Sequence, residues 1–304
     1  MTEPTHTNSM PQNPLSAGQW KTGEEVRLAA RENACTVPTA GLASTYLQAN
    51  LIVLPSKYAQ DFRDLCARNP VPCPLIAESS STGDFCHLKS HLPSVNQGQR
   101  IAHSLDMRTD CPKYNVYRDG RLVEDGVADV KRHWTEDHVA FVIGCSFSFE
   151  SALAAAYLPT RHSILGRNVP MYRTNIPLNP AGVFCGSTYV VSMRPYKKEE
   201  VERVRAITRR YLPTHGECVA WGWEAVGRLG IENIDRPAWG DAPLTLDGRP
   251  LGEAVGDENN VPLFWGCGVT PQEAVLQTRP EGVIMSHFPG YMLLLDCLED
   301  DVLV

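Results

Sequence analysis

Apolar residues come along this chain in short bursts. Some are unbroken and others recur every three to four positions, and this alternation lays out the elements. Thr22-Gly23-Glu24-Glu25 sets a hydroxyl three residues ahead of a carboxylate, a capping box that predicts a helix running to about Asn33. Leu51-Ile52-Val53-Leu54 is an unbroken run stopped by Pro55, which predicts a buried strand within 45–55. Ser56 then caps a helix whose Tyr58, Phe62, Leu65 and Cys66 share a face; it must stop near Asn69, because Pro70, Pro72 and Pro74 follow. Two strand-like runs, 114–117 and 121–123, flank Asp119-Gly120, a two-residue hairpin signal. Residues 140–144 read as a strand leading into a helix over about 146–157, with Phe149, Leu153 and Tyr157 inward. A short strand over 189–193 and a helix over 199–210 come next. Residues 261–265 form the last strand-like run, Gly266-Cys267-Gly268 turns the chain, and Thr270-Pro271-Gln272-Glu273 reads as a second capping box.

This alternation predicts an α/β fold: a mixed sheet with helices on both faces, plus a smaller α+β subdomain. The expected division is a flexible tail over 1–20, a main domain from 21–112 and 212–304, and an inserted subdomain over 113–211. Of the 304 residues 43% are hydrophobic, enough for a substantial core. A net charge of −7 argues against nucleic acid or an anionic membrane as partner. The apolar runs are too short to span a bilayer, and residues 1–20 lack the basic and apolar parts of a leader. Ten cysteines are spread without paired short spacings, which favours reduced thiols and a cytoplasmic location. The nearest approach to a metal cluster, Cys86-His87 with His91 and His103, has no standard zinc spacing. Neither nucleotide-binding glycine motif nor a G-x-S-x-G elbow is present, so no cofactor is expected.

The candidate chemistry lies where two strands end in glycine and cysteine just before a helix: Ile143-Gly144-Cys145-Ser146 and Trp265-Gly266-Cys267-Gly268. Helix starts there offer free N–H groups and positive potential, which suit a carboxylate and lower a nearby thiol's pKa. Arg108, Arg173 and Arg194 stand among uncharged or turn residues as candidate carboxylate clamps, although each is about as well explained by a structural ion pair. His215 and His287 sit at element ends, where general bases are often placed; His133, His138 and His162 lie in charged or turn sequence and read as solvated.

Several stretches taken together resemble one family. They are Thr39-Ala40-Gly41 with Gln48-Ala49-Asn50-Leu51, Arg68-Asn69-Pro70 with Cys73-Pro74, and Asp106-Met107-Arg108-Thr109-Asp110 with Pro112-Lys113-Tyr114. Ile143 to Glu150, Met171-Tyr172-Arg173-Thr174-Asn175, Val191 to Pro195, Phe264 to Pro271 and His287 with Pro289-Gly290 follow in order. The chain resembles the D-glutamate cyclase and hydro-lyase family from about Arg27 to Asp296. The resemblance implies a two-part α/β protein and, for one member activity, cyclisation of D-glutamate to 5-oxo-D-proline with loss of water. Two departures stand out: Cys218, Ala220, Trp223 and Glu224 replace the usual proline, histidine and Asp-Pro after His215-Gly216, and Tyr291 replaces a histidine. They put D-glutamate itself in question as substrate.

The expectation is therefore a cofactor-independent lyase acting on a small carboxylate or amino acid. Cys145, Glu150, Asp110, His287 and Cys267 are the candidate catalytic residues, with Glu150, Asp110 or His287 moving the proton. Arg108, Arg173, Arg194, Ser146, Thr174, Asn175, His215 and Tyr291 are the candidates for holding substrate. Two alternatives stay open: an amide hydrolase or acyl transferase with Cys145 or Cys267 as nucleophile, and a metabolite-binding protein without catalysis. A homodimer remains possible.

Overall fold

The apolar run at Leu51 extends into the longest strand, and its alternation explains how two cores are filled from one segment. Leu47, Ala49, Leu51 and Val53 enter one apolar cluster, Ile52 and Leu54 another, as side chains that alternate across a strand must. The structure, a computed structural model, describes residues 19–95 and 98–303; the tail expected over 1–20 lies almost wholly outside them.

In chain order the elements begin with α1 (Gly23–Arg31), β1 (Tyr46–Pro55), α2 (Ala59–Arg68), β2 (Leu75–Ser79), β3 (Leu88–Ser90), α3 (Gly98–Ile101), β4 (Tyr114–Arg118) and β5 (Arg121–Val127). The middle holds β6 (His138–Gly144), α4 (Glu150–Ala155), α5 (Arg161–Ile164), β7 (Met171–Pro177), β8 (Thr188–Tyr196) and α6 (Val201–Thr208). The chain closes with β9 (Ala220–Trp221), α7 (Trp223–Arg228), β10 (Val261–Gly266), α8 (Val269–Thr278), β11 (Val283–His287) and β12 (Leu293–Leu298). No described helix is long and apolar enough to cross a membrane.

The fold is α/β and holds two sheets. The larger runs β3-β2-β6-β1-β11-β4-β5 with β12 also on β1, and the smaller runs β7-β8-β10-β9. Every pairing among the described strands is antiparallel. Helices cover both faces of the larger sheet: Phe62 and Leu65 of α2 with Ala274 and Val275 of α8 on one side, Leu153 of α4 and Val204 of α6 on the other. That second face also receives Leu263 and Trp265 of β10, so the two sheets share one core. The sheets cut across the expected 113–211 boundary. β4, β5 and β6 lie inside that range yet belong to the larger sheet, whereas β9 and β10 lie beyond it and complete the smaller one. Long-range strand pairing, invisible to local patterning, sets this division.

Local expectations meet the structure unevenly. Thr22 Oγ1 accepts from Glu25 N–H at the start of α1, which is half of the expected capping box; the Glu25 carboxylate accepts from Lys21 N–H and not from Thr22 N–H. Asp119 and Gly120 have φ of 51° and 72° and turn the β4–β5 hairpin. The helix expected over 146–157 instead begins as a 3₁₀ turn, Ser146–Phe149, before α4. Its serine hydroxyls are engaged by Arg194 and by the Gln48 N–H. The second capping box does not form: α8 starts at Val269, and Thr270 Oγ1 instead accepts from Val190 N–H and donates to the Val190 carbonyl. A partner in the neighbouring strand outcompetes the cap.

One edge of β1 decides the layout of the site. β6 pairs along seven consecutive positions, from Ala49↔Gly144 to Pro55↔His138. The opposite edge is shared end to end: β12 takes Tyr46 to Ala49 and β11 takes Ile52 and Val53. Residues 288–292 therefore bulge out of the sheet opposite Asn50 and Leu51.

Candidate active site

Gly144-Cys145 ends β6 in the larger sheet and Gly266-Cys267 ends β10 in the smaller, and the shared core brings the two ends together. The two turns have the same build. Ser148 N–H donates to the Cys145 carbonyl at 3.1 Å and Thr270 N–H to the Cys267 carbonyl at 2.9 Å. The Cys145 thiol rests on the Met292 sulfur at 3.2 Å, and the Cys267 thiol on the Met171 sulfur at 3.4 Å.

Asn50 locks one turn to the other. It is a buried amide of β1, as is Gln48; its Nδ2 donates to the Gly144 carbonyl at 3.2 Å, and a Cβ on Gly268 would lie 1.9 Å from that nitrogen. Only glycine fits at position 268 while Asn50 keeps this bond. His215 braces the junction from another side: its Nδ1 pairs with the Val71 carbonyl at 2.8 Å and lies 3.3 Å from where a Cβ on Gly266 would be.

Between the turns runs a buried chain of charge. Arg194 of β8 has no exposed surface and lies between the rings of Phe149 and Trp265, at 5.1 and 5.4 Å. Its Nε donates to Glu150 Oε1 at 2.8 Å, and its terminal nitrogens donate to Ser192 Oγ and Ser146 Oγ, each at 3.1 Å. The other oxygen of Glu150 faces His162 Nε2 at 3.2 Å. Burial would raise the Glu150 carboxyl, but His162 and Arg194 outweigh it and hold the pKa down at about 2. Glu150 is thus a fixed anion at neutral pH, whereas the sequence offered it as a proton carrier.

The thiols also depart from expectation. Burial raises Cys145 to about 12 and Cys267 to about 11, against the smaller lowering by the N–H groups of Phe147 and Val269. Desolvation exceeds the pull of the turns, so neither sulfur is a thiolate at neutrality. The histidines are held neutral in the same way: burial depresses His215 to about 4 against the Val71 and Gly144 carbonyls, and His287 to about 4 against the Leu51 carbonyl. His287 stands at the break in the β1 edge. Its Nδ1 lies 3.2 Å from both the N–H and the carbonyl of Leu51 and 2.9 Å from Gln272 Nε2, filling the place of a missing strand partner.

The junction therefore gathers Cys145, Ser146, Glu150, Arg194, His215 and Cys267, with His287 and the buried Tyr291 at the adjoining bulge. Arg173 shares a strand face with Met171 and so lies on the Cys267 side. It is exposed, pairs with Glu273 of α8 at 2.9 Å, and stacks 4.3 Å from the Trp239 ring centre. Thr174 is occupied with the Tyr189 carbonyl, and Asn175 packs against Gly230. Two candidates are engaged elsewhere. Arg108 forks onto Asp106 over the Phe85 ring, and Asp110 is buried against Arg27 and Arg31 of α1. Burial raises the Asp110 carboxyl against those two arginines. Cys86, His87, His91 and His103 do not come together: His91 pairs with Glu78, His103 N–H donates to Asp296, and Cys86 and His87 gather on Asp84. His138 and His162 are buried, contrary to their charged surroundings in sequence.

The D-glutamate cyclase family profile matches residues 139–296, a stretch that holds both turns. A "putative hydro-lyase" of Schizosaccharomyces pombe is 42% identical over 90% of this chain and 83% of its own length. The chain belongs to the D-glutamate cyclase family. Other relatives of this D-glutamate cyclase family member bear the same hydro-lyase name: one from Bordetella pertussis is 45% identical over 91% of this chain and 90% of its own, and one from Bacillus velezensis is 40% identical over 92% and 96%. A lyase-like function is what family and names support. Sequence reasoning missed Asn50, Gln272 and His162. Of these, Asn50 left a local sign, an amide directly before the apolar run 51–54.

Proposed function

We propose that this chain is a cofactor-independent lyase that removes water from, or adds it to, a small carboxylate or amino acid, in the manner of D-glutamate cyclase. The observation that carries the reading is the buried Arg194–Glu150–His162 chain set between two turns of the same build. As the amine nitrogen bonds to the carboxyl carbon, negative charge grows on the carboxyl oxygens and preorganised donors stabilise it; the C–O bond then breaks, and that oxygen leaves as water with the two protons lost by the ammonium nitrogen. Arg194, held by Glu150, supplies the positive field, the turns supply N–H groups, and neutral His215 is the base at the junction. A nucleophilic thiol is disfavoured by the raised Cys145 and Cys267 pKa values.

The test is to incubate the protein with D-glutamate, L-glutamate and a panel of amino and unsaturated dicarboxylates, following gain or loss of one water by mass spectrometry. Turnover of at least one compound is expected, and complete inertness across the panel rejects the reading. Turnover is also expected to survive replacement of both Cys145 and Cys267 by alanine; its abolition in a folded double variant revives covalent catalysis.

A further inference from the structure

Next to the charge chain lies a cleft lined by two arginines that form no ion pair among the described residues. Arg161 opens α5 and is only 8% exposed, yet its guanidinium donates to neutral Asn260 Oδ1 at 2.5 Å and forms no ion pair among the described residues. Asp257 and Glu200 act on it only at longer range, and burial draws its pKa down. Arg167 likewise forms no ion pair among the described residues, and its Nε is buried without a hydrogen-bond partner. His162, also 8% exposed, spends Nε2 on Glu150 and leaves Nδ1 buried and unpartnered. All three line one cleft, together with Asn168 and Asp241. A buried cation without a counter-ion is costly, and an arriving anion removes that cost.

Asp241 decides which anion. A carboxylate in the lining repels a multiply charged phosphate and suits a ligand that carries a cation beside its anion. Asp241 Oδ2 accepts from Asn168 N–H at 2.7 Å, which fixes it on the wall. The empty space, open mouth included, is about 280 Å³, and the part roomy enough for water is about 20 Å³. One ligand end can be gripped inside while the remainder reaches outward.

We propose that this cleft seats the head group of an α-amino acid, the carboxylate between Arg161, Arg167 and His162 Nδ1, and the ammonium toward Asp241. The assignment rests on the reading of the chain as a lyase for small carboxylates. His162 joins the two places, since it lines the cleft while its Nε2 holds Glu150.

Isothermal titration of the full-length protein with D-glutamate, L-glutamate, glutarate and inorganic phosphate tests it, with water loss assayed on the same samples. One of the glutamates is expected to bind. Arg167→Gln, at a partly exposed position that folding tolerates, and Arg161→Gln should each weaken it roughly ten- to a hundredfold, as loss of a charge-assisted hydrogen bond does. Asp241→Asn should weaken glutamate but spare glutarate, which has no ammonium. Unchanged glutamate affinity in both arginine variants, phosphate binding tighter than either glutamate, or no glutamate binding by the wild type overturns the proposal. Water loss that the variants leave unaltered keeps the lyase reading and rejects the cleft. Binding that the variants abolish, with no water loss by any protein, keeps the cleft and rejects the lyase.

Discussion

Two glutamates on neighbouring ground titrate in opposite directions, and each makes a prediction. Glu150, ordinarily near 4.5, is held at about 2, so its contribution to stability is full above pH 4.5 and lost as pH falls toward 2. Shifts of this size correspond to about 3 kcal/mol. Glu150→Gln should flatten that acid limb and, by leaving Arg194 buried and unpaired, cost about 3–5 kcal/mol at neutral pH in urea unfolding. Glu299 is the reverse case. Burial, helped by Asp300 and Glu150, raises it to about 7 against its hydrogen bond with Ser151. The folded state is then least burdened below pH 4.5 and loses stability as pH rises through 7. Glu299→Gln should match the wild type at pH 4.5 and exceed it by up to about 3 kcal/mol at pH 8 in thermal melts. Neither behaviour was readable from sequence, because the sign of each shift is set by partners such as Arg194 and Ser151 and by the depth at which the carboxyl is buried.

At the level of elements, the two turns stand or fall together. Gly268→Ala would drive a methyl into Asn50, and Asn50→Ala would remove the bond to the Gly144 carbonyl. Each is expected to destabilise by about 1–3 kcal/mol. Because both act on the same contact, their double variant should cost clearly less than the sum, which a double-mutant cycle measures. The turns themselves were legible, since glycine and cysteine close an apolar run in each. Their meeting was not, as it depends on β6 and β10 belonging to different sheets over one core. Nor could Arg161 and Arg167 be recognised as lining a cleft, because a charged residue in turn sequence looks solvated until packing buries it. The bland alternative weighed for Arg108, an ion pair with Asp106, is the geometry observed.

Across the whole molecule, a core shared by both sheets implies that they melt as a unit. Calorimetric and van't Hoff enthalpies should agree, and residues 113–211 made alone should not fold, since β7 and β8 would lose β10 and β6 would lose β1. A thiol reagent should react quickly with exposed Cys185, more slowly with half-buried Cys86, and with the other eight cysteines only after denaturant. The hydrophobic pattern was enough to foresee helices on both sides of a sheet; which strands share which sheet was beyond it.

The bulge at 288–292 carries a consequence for how this protein can be altered. β11 and β12 are each registered to β1 separately, and the segment between them is tied down in its own right: Phe288 N–H donates to the Lys113 carbonyl, Thr39 N–H to the Gly290 carbonyl and Met292 N–H to Thr39 Oγ1. Chain length there is fixed by these bonds, and the segment follows directly on His287 and carries the Met292 that supports Cys145. Adding or removing a residue in this blister should therefore break the Thr39 and Lys113 ties and withdraw the support under Cys145, lowering the melting temperature together with any activity.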